Sequence, residues 1–155
     1  MPDLSNLSDL YQEIIMDHRR SPRNEGLPPG HDHSAEGFNP FCGDKVSVGI
    51  KVEDGVIVDV GFEAEGCAIS IASASLMTES VMGRPIGEAV KIFDAFRDLL
   101  TNTDGSASAA ASDDLGDLEA LAGVKAYPTR IKCATLSWHT LKAAIDKDAE
   151  SVSTE

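Results

Sequence analysis

Residues 46–62 place the strongest constraint on what this chain can fold into. Val46, Val48, Ile50 and Val52 alternate with Ser47, Gly49 and Lys51; after Asp54-Gly55 the alternation resumes at Val56, Val58, Val60 and Phe62. Side chains on a strand point to opposite faces in turn, so the pattern predicts two antiparallel strands sharing one buried face. Asp-Gly suits the tight hairpin turn, because both residues accept positive φ. A two-stranded hairpin is marginal alone, so its apolar face calls for helices.

The rest of the chain supplies them. Asp9 to Arg19 reads as a helix, with Leu7, Leu10, Ile14 and Ile15 on one stripe, a capping-box pair at Asp9 and Gln12, and Pro22 beyond the end. Residues 21–40 hold Pro22, Pro28, Pro29, Pro40 and three glycines, and read as loop or extended chain. Ala68 to Met82 is an Ala- and Ser-rich helix stopped by Gly83, whose small side chains let it lie close to a sheet. A further helix runs from Pro85 to about Leu100, with Val90, Phe93, Phe96 and Leu100 facing inward. Leu115, Leu118 and Leu121 suggest a short helix closed by Gly123. Pro128 stands where a first helical position belongs, and Ala134, Trp138, Leu141 and Ile145 mark the final helix. Thr101 to Asp114 is low in complexity, without apolar period, and reads as a flexible insertion. The expected organisation is one domain over residues 1–147, interrupted near 101–114, and a disordered acidic tail over 148–155.

Charge narrows the functions. The 155 residues include 26 acidic and 13 basic ones, a net charge of −13. Such a surface repels nucleic acid and anionic membranes, whose phosphates require clustered Lys and Arg, and suits a basic protein partner. Nothing approaches the roughly 18 consecutive apolar residues of a membrane span. The opening MPDLSNLSDL has neither the basic nor the apolar segment of a signal peptide, so a cytoplasmic location is the default expectation.

Three cysteines cannot all pair within one chain, and a reducing compartment disfavours disulfides. By composition they could be small buried hydrophobes. Their settings suggest more. Cys42 lies in PFCGD just before the first predicted strand, with Asp44 two residues on; Cys67 lies in EGCAIS at a loop-to-helix junction; Cys133 lies in RIKCATL, in the first turns of the last helix. Helix N-termini favour thiolates, and thiolates are what metals and sulfur acceptors require. Three sulfurs and one carboxylate suit tetrahedral zinc. The spacing is not the CxxC pair of zinc fingers, and both readings stand at this point. His31 and His33 form an HxH in a Pro/Gly-rich loop, but neither they nor His18 and His139 are assigned to a site; Glu63 and Glu65 read as a solvated turn.

Four ordered segments decide between the readings. LYQEIIMDHRRSPRNEG, NPFCGDKV, GCAISIASASLMTE and PTRIKCATLSWHTL together resemble the SufU branch of the IscU-like proteins, over Leu10 to about Leu141. The resemblance implies an α+β fold in which a small antiparallel sheet, commonly three-stranded, packs against several helices. It implies metal ligation by Cys42, Asp44, Cys67 and Cys133. It also implies a SufS-type cysteine desulfurase as partner, with other SUF assembly proteins beyond it, and passage of persulfide sulfur toward iron–sulfur cluster assembly. In IscU scaffolds a histidine directly precedes the third cysteine; here that residue is Lys132, and residues 101–122 add an extra segment. Both features favour Zn2+ and sulfur transfer over the alternative, a scaffold that builds an iron–sulfur cluster on the same cysteines. Cys42, between Pro40 and Gly43, is the expected nucleophile. Arg130, three residues before Cys133 and on the same helical face, is the expected cation beside the thiolates.

Overall fold

The structure, a computed structural model, describes residues 12–30, 33–40, 43–101, 118, 121, 128–146 and 151–153. The hairpin forms, but the expected alternation holds only from Val60 onward in its second strand: the register shifts between Lys51 and Val52, so Ile57 is buried and Val58, expected inward, is exposed. β2 (Asp44–Glu53) pairs antiparallel with β3 (Val56–Glu65), in a register that sets Val46 opposite Ala64, Val48 opposite Phe62 and Ile50 opposite Val60. Asp54 and Gly55 both take positive φ, 53° and 77°, as the two-residue turn requires. Val46, Val48, Ile50, Val60 and Phe62 are all buried. Glu63 and Glu65, expected in a turn, are instead exposed residues at the end of β3, which runs further than its apolar alternation.

A further strand, β1 (His33–Asn39), lies within the stretch read as loop or extended chain. It pairs antiparallel with β2, bringing Ala35 opposite Val48, Gly37 opposite Val46 and Asn39 opposite Asp44. Its inward positions are Ala35, Gly37 and Asn39, so it lacks the large apolar residues by which strands are recognised. The reason lies above it. A Cβ on Gly37 would strike Thr140 Oγ1 and Leu136 Cδ1 of the last helix, which therefore rests directly on the strand. Ser151–Ser153, within the segment read as a tail, form β4, a short parallel partner of β1 that gives the sheet order β3-β2-β1-β4.

Helices cover one face. α1 spans residues 12–20; α2, α3 and α4 are Ala68–Val81, Ile86–Thr101 and Pro128–Asp146. α4 lies over β1 and β2, and α2 fits between β3 and α4. Ala72, Ser73, Ala74 and Ser75 of α2 are buried in succession, so the helix is enclosed nearly all round; only small side chains permit that. The Ser73 hydroxyl donates to the Ala134 carbonyl and ties α2 to α4. Phe93 and Phe96 of α3 pack on Trp138, with ring centroids 5.9 and 5.4 Å away. Each such fully buried ring stabilises the fold by roughly 1.5–3 kcal/mol. Leu118 and Leu121 are fully buried; Leu115, Gly123 and residues 102–114 of the expected insertion lie outside the described residues, as does Asp9. Among the described residues no helix is long and apolar enough to cross a membrane.

Candidate metal centre

Three chain ends meet at one corner of the sheet. β1 ends at Asn39, whose carbonyl accepts the Gly43 N–H at 2.8 Å; Gly43 takes φ +72°, which glycine adopts without strain, and Asp44 then opens β2. Next to Asp44, β3 ends and Gly66 leads into α2. A side chain at Gly66 would collide with the Asp44 carboxylate, so this glycine keeps the approach open. Cys67 is the N-cap of α2, in extended backbone, and its Sγ accepts the Ser70 N–H at 3.4 Å. From the other side, α4 delivers Cys133 in its second turn.

The ligand atoms of Asp44, Cys67 and Cys133 all lie within 4.8 Å of one another. Asp44 and Cys133 are fully buried and Cys67 is partly so. Each receives an N–H. The Cys67 N–H donates to Asp44 Oδ1 at 2.9 Å, the Ser70 N–H to Cys67 Sγ, and the Asn39 amide to Cys133 Sγ at 3.6 Å. The expectation that a helix N-terminus stabilises the Cys133 thiolate is not met. The sixth residue of α4 lies beyond the first turn, where the helix dipole acts, and Asn39 is a nearby donor.

The donor set fits a cation. A carboxylate is seldom fully buried without a counter-charge, and Asp44 is fully buried beside two thiols. Two soft sulfurs and one oxygen match zinc, whose bonds of roughly 2.0–2.3 Å space tetrahedral ligand atoms by roughly 3.5–4 Å. Atoms within 4.8 Å of one another reach that spacing by small side-chain rotations.

Of the other expected site residues, Cys42 lies outside the described residues. Arg130 stands on α4 one turn before Cys133, with its side chain exposed, and Lys132 is partly buried. The histidines go elsewhere. His18 is buried between α1 and α2, with Nδ1 2.7 Å from Ser75 Oγ and Nε2 3.6 Å from Glu79. His139 packs edge-on against Phe93, and His33 begins β1; His31 is outside the described residues. Asn39 and Gly66 were not read as site residues. The signal for Asn39 was its place in NPFCGD, with inward alternation from Ala35 once β1 is recognised.

An α+β domain with a thiol–carboxylate cluster at one sheet corner is thus the class that fold and site define. Residues 10–134 match the NifU-like N-terminal domain, and the chain belongs to that family. Among its relatives is the zinc-dependent sulfurtransferase SufU of Bacillus subtilis, 41% identical over 144 residues that cover 93% of this chain and 95% of that protein. Another is the iron–sulfur cluster assembly scaffold protein IscU of Streptococcus pyogenes, 38% identical, covering 96% of this chain and 90% of that one. A crystal structure of a proposed iron–sulfur cluster assembly scaffold for the SUF system, from Fervidobacterium islandicum AW-1, superimposes with a TM-score of 0.74 at 31% identity, covering 86% of this chain and 94% of that one. The likeness to SufU- and IscU-type proteins read from the four sequence segments is therefore matched across nearly the whole chain.

Proposed function

We propose that this chain is a zinc-dependent sulfurtransferase that accepts persulfide sulfur from a SufS-type cysteine desulfurase and passes it toward iron–sulfur cluster assembly in the cytoplasm. The observation that carries the reading is the buried convergence of Asp44, Cys67 and Cys133. The name of the Bacillus subtilis relative supports it. In this reading Cys42 is the fourth zinc ligand, two residues before Asp44. Bound zinc supplies positive charge that holds the thiols as thiolates.

The chemistry is thiol exchange. The Cys42 thiolate attacks the outer sulfur of the desulfurase persulfide. A new S–S bond forms on Cys42, the donor's S–S bond breaks, and its electron pair leaves on the donor cysteine as thiolate. Cys67 and Cys133, seated in regular structure, hold their positions while Cys42 reacts. Arg130 offsets the negative charge of three thiolates and one carboxylate and holds the persulfide anion. The net charge of −13 supports a partner with a basic surface rather than nucleic acid or an anionic membrane.

A second reading, a scaffold assembling a cluster on the same cysteines, draws on the IscU relatives. Metal analysis of the purified protein and a sulfide-release assay with its desulfurase separate the two. Transfer gives about one zinc per chain and strong stimulation of sulfide release; bound iron with visible absorption and no stimulation sinks the transfer reading.

A further inference from the structure

We infer that Asn39 is a positioning residue for the metal centre, acting through Cys133 by an N–H···S hydrogen bond that withdraws charge from the sulfur. The inference rests on the reading of Cys133 as a metal ligand.

The argument begins with the location of the amide. Asn39 is fully buried at the last inward position of β1, where the two preceding inward residues are Ala35 and Gly37. Burial of an amide is unfavourable unless its donors find acceptors. Its Nδ2 is aimed at Cys133 Sγ at 3.6 Å. A neutral thiol is a weak acceptor and gives such an amide little in return. A thiolate is a strong one, because the bond is charge-assisted. The contact from Asn39 is one that a negatively charged sulfur at position 133 strengthens.

The other two ligand atoms strengthen the point. The N–H groups on Asp44 Oδ1 and Cys67 Sγ are those of Cys67 and Ser70, both backbone, and follow from the β3–α2 junction itself. Cys133 lies inside α4, where backbone N–H groups are engaged in the helix. A side chain on another element supplies the donor here, and the Asn39–Asp44 register brings it from β1. This contact is therefore the one of the three that a change of residue type can remove. Hydrogen bonds beyond the ligands orient them and tune the metal, and their loss typically lowers metal affinity or activity by roughly 10–100-fold.

The test uses cobalt(II) as the metal, whose sulfur-to-cobalt charge-transfer band reports electron density on the ligating sulfurs. Asn39→Leu keeps approximate shape and removes the donor; Asn39→Ala serves if the leucine variant fails to fold. Wild type is expected to show the thiolate–cobalt band. Each folded variant should show it at longer wavelength, since a sulfur without its hydrogen bond gives up charge more easily, with cobalt affinity lower by roughly 10–100-fold. A merely structural asparagine changes thermal unfolding of the metal-free protein and leaves the band in place. An unmoved band in a folded variant overturns the inference while the metal-centre reading survives. No thiolate–cobalt band in wild type overturns that reading, and the inference with it.

Discussion

At the scale of residues, the cysteines divide by the structure around them. Cys67 caps α2 and Cys133 sits inside α4, so each thiol is positioned by regular backbone. Metal binding and folding are coupled, because a preformed site rarely survives unfolding. Cys67→Ser and Cys133→Ser should each lower zinc content and the thermal midpoint together, measured by metal analysis and calorimetry. Cys42→Ser should lower them less, as water can fill one of four positions; an equal loss in all three variants contradicts this division of roles. By residue type Cys67 and Cys133 could equally have been core packing, and it was the family resemblance that grouped them with Asp44; the three side chains do converge. Asn39 and Gly66 were not legible as site residues. An asparagine is ordinary in a loop, and its meaning depends on Cys133, which is 94 residues away. The role of Gly66 depends on the Asp44 carboxylate beside it.

At the scale of elements, the close contact of α4 with β1 is the most exacting feature. Gly37→Val would force side-chain carbons against Thr140 and Leu136. Overpacking of this kind typically costs about 1–3 kcal/mol, to be read from urea unfolding; an unchanged midpoint means that α4 can lift off without penalty. The α3–α4 contact carries a pH dependence. Burial against Phe93 lowers the His139 pKa, and the Arg97 and Lys142 charges lower it further. The folded state therefore resists a proton that the unfolded chain accepts. His139 costs no stability well above its ordinary value of about 6.5, and the loss grows as pH falls below that value toward the lowered one. His139→Gln should flatten the acid-side fall of the urea midpoint; an identical slope contradicts the assignment. The hairpin, α3 and α4 could be read from periodicity, since large apolar residues mark their inner faces, whereas α2 was legible from its run of small residues and the Gly83 stop. β1 could not, because a strand pressed under a helix has small residues where the pattern expects large ones. β4 offers three residues, too short for any period.

At the scale of the molecule, sheet and helices exist in one arrangement that brings β2, the β3–α2 junction and α4 to a single corner. Three ligand-bearing segments far apart in sequence meet there, which no local motif specifies. Family resemblance supplied that convergence in advance; spacing alone left it open, since distances between segments are set by the packing of Trp138, Phe62 and their neighbours rather than by the motifs. The central claim is that this chain accepts sulfur on Cys42. Intact-mass spectrometry after incubation with the desulfurase and cysteine tests it most directly. Wild type should gain the mass of one sulfur atom, lost again on reduction by a thiol, and Cys42→Ser should gain none. A Cys42→Ser protein that takes up sulfur as readily as wild type contradicts the account.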